Sequence, residues 1–74
     1  MVARLVIWNL AESKTTLEEL REHLPLLPEG SHWMSNDPAE RFGLFALGDE
    51  LPDLGDVPQL LGVEAVVFEE FDVE

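Results

Sequence analysis

The sequence predicts an α+β domain with its elements in the order β-α-β-β-α-β, and three observations carry that prediction. Residues 3–10 form an almost unbroken apolar run rich in β-branched and aromatic side chains, the pattern of a central strand buried on both faces. Leu17, Leu20 and Leu24 recur at helical spacing and are stopped by Pro25. Three further short apolar segments, 31–36, 41–47 and 63–73, are parted by Gly, Pro, Asn and Asp. At 74 residues the chain is expected to be one domain, 1–74.

The elements follow in order. The opening strand, 3–10, holds Leu5, Val6, Ile7 and Trp8. Thr15-Thr16-Leu17-Glu18 is a capping-box pattern, in which a Thr hydroxyl accepts from the backbone of the first turn and Glu18 reaches back. Pro28-Glu29-Gly30 turns the chain into a short strand over 31–36 containing Trp33 and Met34. Asn36-Asp37-Pro38 is a turn signal, and 41–47 is the returning strand of a hairpin. After the loop 48–53, a short helix is expected over about 57–61, with Asp56 as cap, Pro58 in its first turn and Gly62 closing it. A last strand occupies 63–73.

This order is that of the split βαβ, ferredoxin-like arrangement, with one antiparallel sheet and both helices on one face. Strand alternation then sorts the side chains. With Leu5 and Ile7 placed toward the helices, the uncovered face carries Val6, Trp8, Phe42, Leu44, Val66 and Phe68. That patch is too large for a comfortable monomer surface. It is the expected interface, with Trp8, Phe42 and Phe68 as anchors, for a second copy of the chain or for another protein. If the register were the reverse, the same residues would simply be the core of a two-layer monomer.

Two family resemblances touch parts of the chain. Residues 5–10 with Thr16-Leu17-Glu18-Glu19-Leu20-Arg21, and the segment Phe42-Gly43-Leu44-Phe45, resemble the first strand, first helix and third strand of an RNA-recognition motif. Of the places where that family stacks aromatic rings on bases, only Phe42 keeps one, and Val6 and Leu44 occupy the others. The resemblance therefore implies the fold and argues against RNA binding. Residues 2–10 and the Leu/Glu-rich helix after them are similar to the stress-responsive dimeric α/β-barrel family. That likeness implies pairing through open sheet faces and an enclosed cavity in which a small apolar molecule could be bound or transformed. His32 is the best polar group for such a cavity, and Arg4 stands where the family often has an early His.

Sixteen acidic residues against four basic ones give a formal charge of −12. Residues 38–74 hold ten of the acids and one base, so they carry −9 of it. Nucleic-acid backbones and anionic membranes both draw on Lys and Arg, and Arg4, Lys14, Arg21 and Arg41 are too few for either. An acidic surface docking on a basic protein is a further expectation. The 46% apolar content indicates a chain that folds, and the lack of cysteine leaves oligomerisation as the available reinforcement of a small core. With no leader pattern and no apolar run near the ~18 residues of a membrane span, a cytoplasmic protein is expected.

Few residues invite chemistry. His23 suits a helix C-terminus, where it can pair with Glu19. His32, expected with Asn36 and Asp37 to line a pocket mouth, is the one weak catalytic candidate. Asp49, Glu50, Asp53 and Asp56 cluster in one loop, but their spacing fits no calcium loop. Ser13, Ser31 and Ser35 lack the setting of a nucleophile, and no phosphate-binding or dinucleotide fingerprint occurs. No metal and no cofactor are expected, and an enzyme is the lesser expectation.

Overall fold

The computed structural model describes residues 1–74. The strands are β1 (Val2–Asn9), β2 (His32–Ser35), β3 (Arg41–Leu47) and β4 (Val67–Asp72), and the helices are α1 (Leu17–His23) and α2 (Val57–Leu61). They build an α+β domain around one four-stranded sheet in the order β2-β3-β1-β4, with every neighbouring pair antiparallel. No helix is long and apolar enough to cross a membrane.

Local chemistry accounts for the elements. At the start of α1 the Thr16 hydroxyl accepts from the Glu19 backbone N–H at 3.3 Å, and the Thr15 hydroxyl donates to the Glu19 carboxylate at 2.7 Å. The cap is thus one residue later than Thr15–Glu18, with Glu19 as the acidic partner. Glu18 and Glu19 in the first turn and Arg21 and His23 in the last match the helix dipole. Leu24 is already extended ahead of Pro25, which ends the helix. α2 spans the expected residues and closes at Gly62, whose φ of 66° is a left-handed conformation that glycine adopts without steric cost. Asp56 sits at its N-cap but makes no side-chain capping bond.

Two boundaries differ from expectation. After β1 the chain enters a short 3-10 turn, Leu10–Glu12, held by the Leu10 and Ala11 N–H groups donating to the Glu40 carbonyl. The last strand begins at Val67 instead of residue 63, because Val63 and Ala65 pack toward the core beside α2 and do not join the ladder.

The larger correction is the register. Leu20 of α1 and Val57 and Leu61 of α2 pack on Val6, Trp8, Phe42, Leu44 and Ala46, which form the core. Those four predicted interface residues, Val6, Trp8, Phe42 and Leu44, are buried under the helices, and Leu5 and Ile7 lie on the opposite face. Side-chain volume gives the reason. The covered face holds Trp8, Phe42 and Trp33, stacked with ring centroids 6.5 Å apart for Trp8–Phe42 and 5.5 Å for Trp33–Phe42. Such pairs add about 0.5–1.5 kcal/mol each beyond area burial. The opposite face has a gap at Gly43, so the helices gain more apolar contact on the aromatic side. Trp33 also finds a partner for its indole N–H, which donates to the Pro25 carbonyl at 3.2 Å.

Candidate interaction face

The sheet face away from the helices carries three largely apolar cross-strand rows and, at the β2–β3 turn end, a polar fourth made by Asn9 and Arg41. The ladder places Leu47, Ala3 and Phe71 side by side, then His32, Phe45, Leu5 and Glu69, then Met34, Gly43, Ile7 and Val67. Alternation follows from the pleat, so residues in these rows all project to the one side. His32 and Glu69 are the only ionisable side chains in the first three rows, one on each edge strand and both exposed. The rest of those rows is apolar. Met34 is 37% exposed and Phe71 51%, while Leu5, Ile7, Phe45, Leu47 and Val67 are half-buried by their neighbours on the strands.

The total surface area is slightly above that of a compact monomer of this mass. A compact monomer of 8.3 kDa has about 4,600 Å² of accessible surface. This chain has 5095 Å², an excess of about 500 Å² over that scaling.

β4 is the least supported element. None of its residues belongs to the core, and its two aromatics, Phe68 and Phe71, project to opposite faces and are each about half exposed. Its attachments are the ladder with β1 and the ion pair between Arg4 Nε and Glu70 Oε2 at 3.1 Å. The same guanidinium donates to the Gly48 and Asp49 carbonyls at 3.4 and 3.3 Å. Arg4 thus ties β4 to the loop after β3.

The remaining predicted residues fall as follows. Val66 and Phe68 are exposed at 62% and 55%, but Phe68 pairs with Val6 and so lies on the helix-side face, beyond the cover of the helices. His32 does not line a pocket mouth with Asn36. The Asn36 Oδ1 instead accepts from the Glu40 and Arg41 N–H groups, at 3.1 and 2.8 Å, shaping the β2–β3 turn. His23 is exposed and makes no ion pair, since Arg4–Glu70 is the single one in the structure. Asp49, Glu50, Asp53 and Asp56 do not converge; the Asp53 carboxylate accepts from the Gly55 N–H at 2.8 Å. No group of three or more His, Cys, Asp or Glu is placed to hold a metal ion. Ser31 is structural, accepting from the Leu47 N–H at 2.9 Å and so extending the β2–β3 pairing.

Two depressions mark the surface. One of about 240 Å³ sits where Gly43 leaves the open face without a side chain, between Ile7 and Met34 and edged by Asn36 and Arg41. The other, about 540 Å³, lies between the first turn of α1 and Ala39. Neither is lined by a histidine, and Glu18 and Arg21 both line the second.

Sequence reasoning missed Leu5, Ile7, Phe45, Leu47, Val67 and Phe71 as the open-face set. The signal available was the bulk of Trp8, Phe42 and Trp33 at register-compatible positions, which marks the face a helix layer would cover. Comparison with known protein families, characterised proteins and solved structures returned no match.

Proposed function

We propose that this chain is a homodimeric module of ferredoxin-like βαββαβ architecture that pairs through its helix-free sheet face. The observation that carries the reading is that face itself: three rows of apolar side chains with His32 and Glu69 on the two edge strands and Arg41 at one end. The strand order supports the architecture, because β3 lies between β1 and β2 and is antiparallel to both, as in a split βαβ unit.

A second copy suits the face better than a charged partner does. The charge of −12 lies almost wholly outside it: the apolar rows hold one acid, Glu69, besides His32, and Arg41 borders them at the β2–β3 turn end. Four strands about 4.8 Å apart carrying three rows make a face of a few hundred Å² per chain, at or below the lower edge of specific interfaces, so dissociation in the micromolar range or weaker is expected. The acids at the borders keep dimers apart from one another.

Light scattering over a concentration series tests this. The parent chain should pass from about 8 kDa to about 17 kDa as concentration rises through the micromolar range, and Phe45→Lys, which sets a charge in the middle of the face, should stay at the lower mass with an unchanged far-UV spectrum. A parent chain that remains at the monomer mass up to millimolar concentration refutes the reading.

A further inference from the structure

We propose that the two sheets pair about a twofold axis running along the strands, between β1 and β3, so that His32 of each copy meets Glu69 of the other; this rests on the homodimer reading above.

The ladder supplies the geometry. His32, Phe45, Leu5 and Glu69 form one continuous cross-strand row, so His32 and Glu69 occupy opposite ends of the same line. Strands lie about 4.8 Å apart, which separates the two by about 14 Å within one chain. That exceeds the screening length of about 8 Å at physiological salt, so they do not pair internally.

When two copies of one face stack, their twofold axis lies in the plane between them. An axis along the strands exchanges the left and right edges and keeps each row over itself. β2 then lies over the partner's β4, and β3 over the partner's β1. His32 faces Glu69 of the partner subunit, and the contact occurs twice. The steric pattern agrees with the charges: Gly43, which has no side chain, faces the partner's Ile7, and Leu47 faces the partner's Ala3.

The competing axis, across the strands, keeps each strand over its own copy. It sets His32 against His32 and Glu69 against Glu69, or, with a half-step shift, leaves both against Met34 and Val67 with no partner. Like charges brought together and polar groups left unpaired are both unfavourable at an interface. Sheets stack about 10 Å apart at about −30°, and that twist displaces the edge strands by only about 4 Å, within reach of His and Glu side chains.

A charge exchange distinguishes the two axes. Dimer dissociation constants are measured by sedimentation for the parent, His32→Glu, Glu69→Lys and the double variant, at low salt and at 0.5 M salt, with far-UV spectra confirming the fold. His32→Glu should weaken the dimer about tenfold or more by opposing two carboxylates. Glu69→Lys should weaken it severalfold. The double variant, which sets opposite charges at these two positions in the exchanged order, should return to within about threefold of the parent at low salt and lose that recovery at 0.5 M. A double variant weaker than either single one supports the axis across the strands and overturns the proposal, as do single variants that leave the constant unchanged. A parent that never dimerises refutes the homodimer reading instead. The two failures are therefore separable.

Discussion

Replacing Leu44 by Ala is the substitution that most severely tests the assignment of the covered face. Leu44 is fully buried, opposite Val6 on β1 and Trp33 on β2, in the cluster that receives Leu20, Val57 and Leu61 from the helices. Deleting three carbons there removes about 2.4 kcal/mol of transfer free energy, and the cavity left behind raises the cost to about 3–4 kcal/mol. A domain of this size has about 4–11 kcal/mol in total, so the variant should fold only marginally. Leu5→Ala, on the other face of the same sheet, removes the same atoms from a half-buried site and should cost about 1 kcal/mol in the monomer. The assay is urea unfolding at fixed low protein concentration, followed by the fluorescence of Trp8 and Trp33, whose rings stack on Phe42 beside Leu44. With a urea dependence of about 1 kcal/mol per molar, the Leu44→Ala midpoint should fall by about 3 M and the Leu5→Ala midpoint by about 1 M. A Leu5→Ala loss equal to or larger than that of Leu44→Ala would refute the assignment of the helices to the Val6–Trp8 face.

Two further substitutions probe the supports of the sheet and of α1. Thr16→Ala removes the acceptor for the Glu19 N–H and should cost about 1 kcal/mol in thermal unfolding, whereas Thr15→Ala should cost clearly less; the reverse ranking would restore the earlier cap. Arg4→Ala breaks the pair with Glu70 and two bonds to loop carbonyls. Because Glu70 is half exposed, the expected loss is only about 1 kcal/mol, but amide exchange should accelerate selectively in β4, and uniform acceleration across the sheet would contradict the role given to Arg4.

The fold was largely legible in the residues, and particular elements show why. β3 and α2 match their expected ranges because each is bounded by strong punctuation: Asp37-Pro38 before β3, Gly48 after it, and Pro58 and Gly62 at either end of α2. The facing of the sheet was not legible from alternation. In β1 the run Leu5-Val6-Ile7-Trp8 is apolar on both faces, and in β3 Phe42 and Leu44 alternate with Gly43 and Phe45, so neither parity is polar. The charged residues at the strand ends cast opposite votes, since Arg4 lies on the helix-side face and Arg41 on the open one. Period-two patterning identifies which side chains share a face, but the helices decide which face is covered. Val6, Trp8, Phe42 and Leu44 are therefore the core, as stated for the reverse register, a different set faces outward, and His32 lies on the edge strand of that outward face.

The most direct measurement of the central claim is the oxidation rate of Met34 by peroxide, followed by peptide mass spectrometry as protein concentration is raised. Met34 is on the open face and 37% exposed, and Met1, two residues before Ala3 and at the end of the same face, is 68% exposed, so free N-acetylmethionine in the same tube serves as the reference. If the face is covered by a second copy, Met34 should oxidise readily at nanomolar concentration and become severalfold slower than the free amino acid above the micromolar range. A ratio of Met34 to free methionine that stays constant from nanomolar to millimolar concentration would contradict the account.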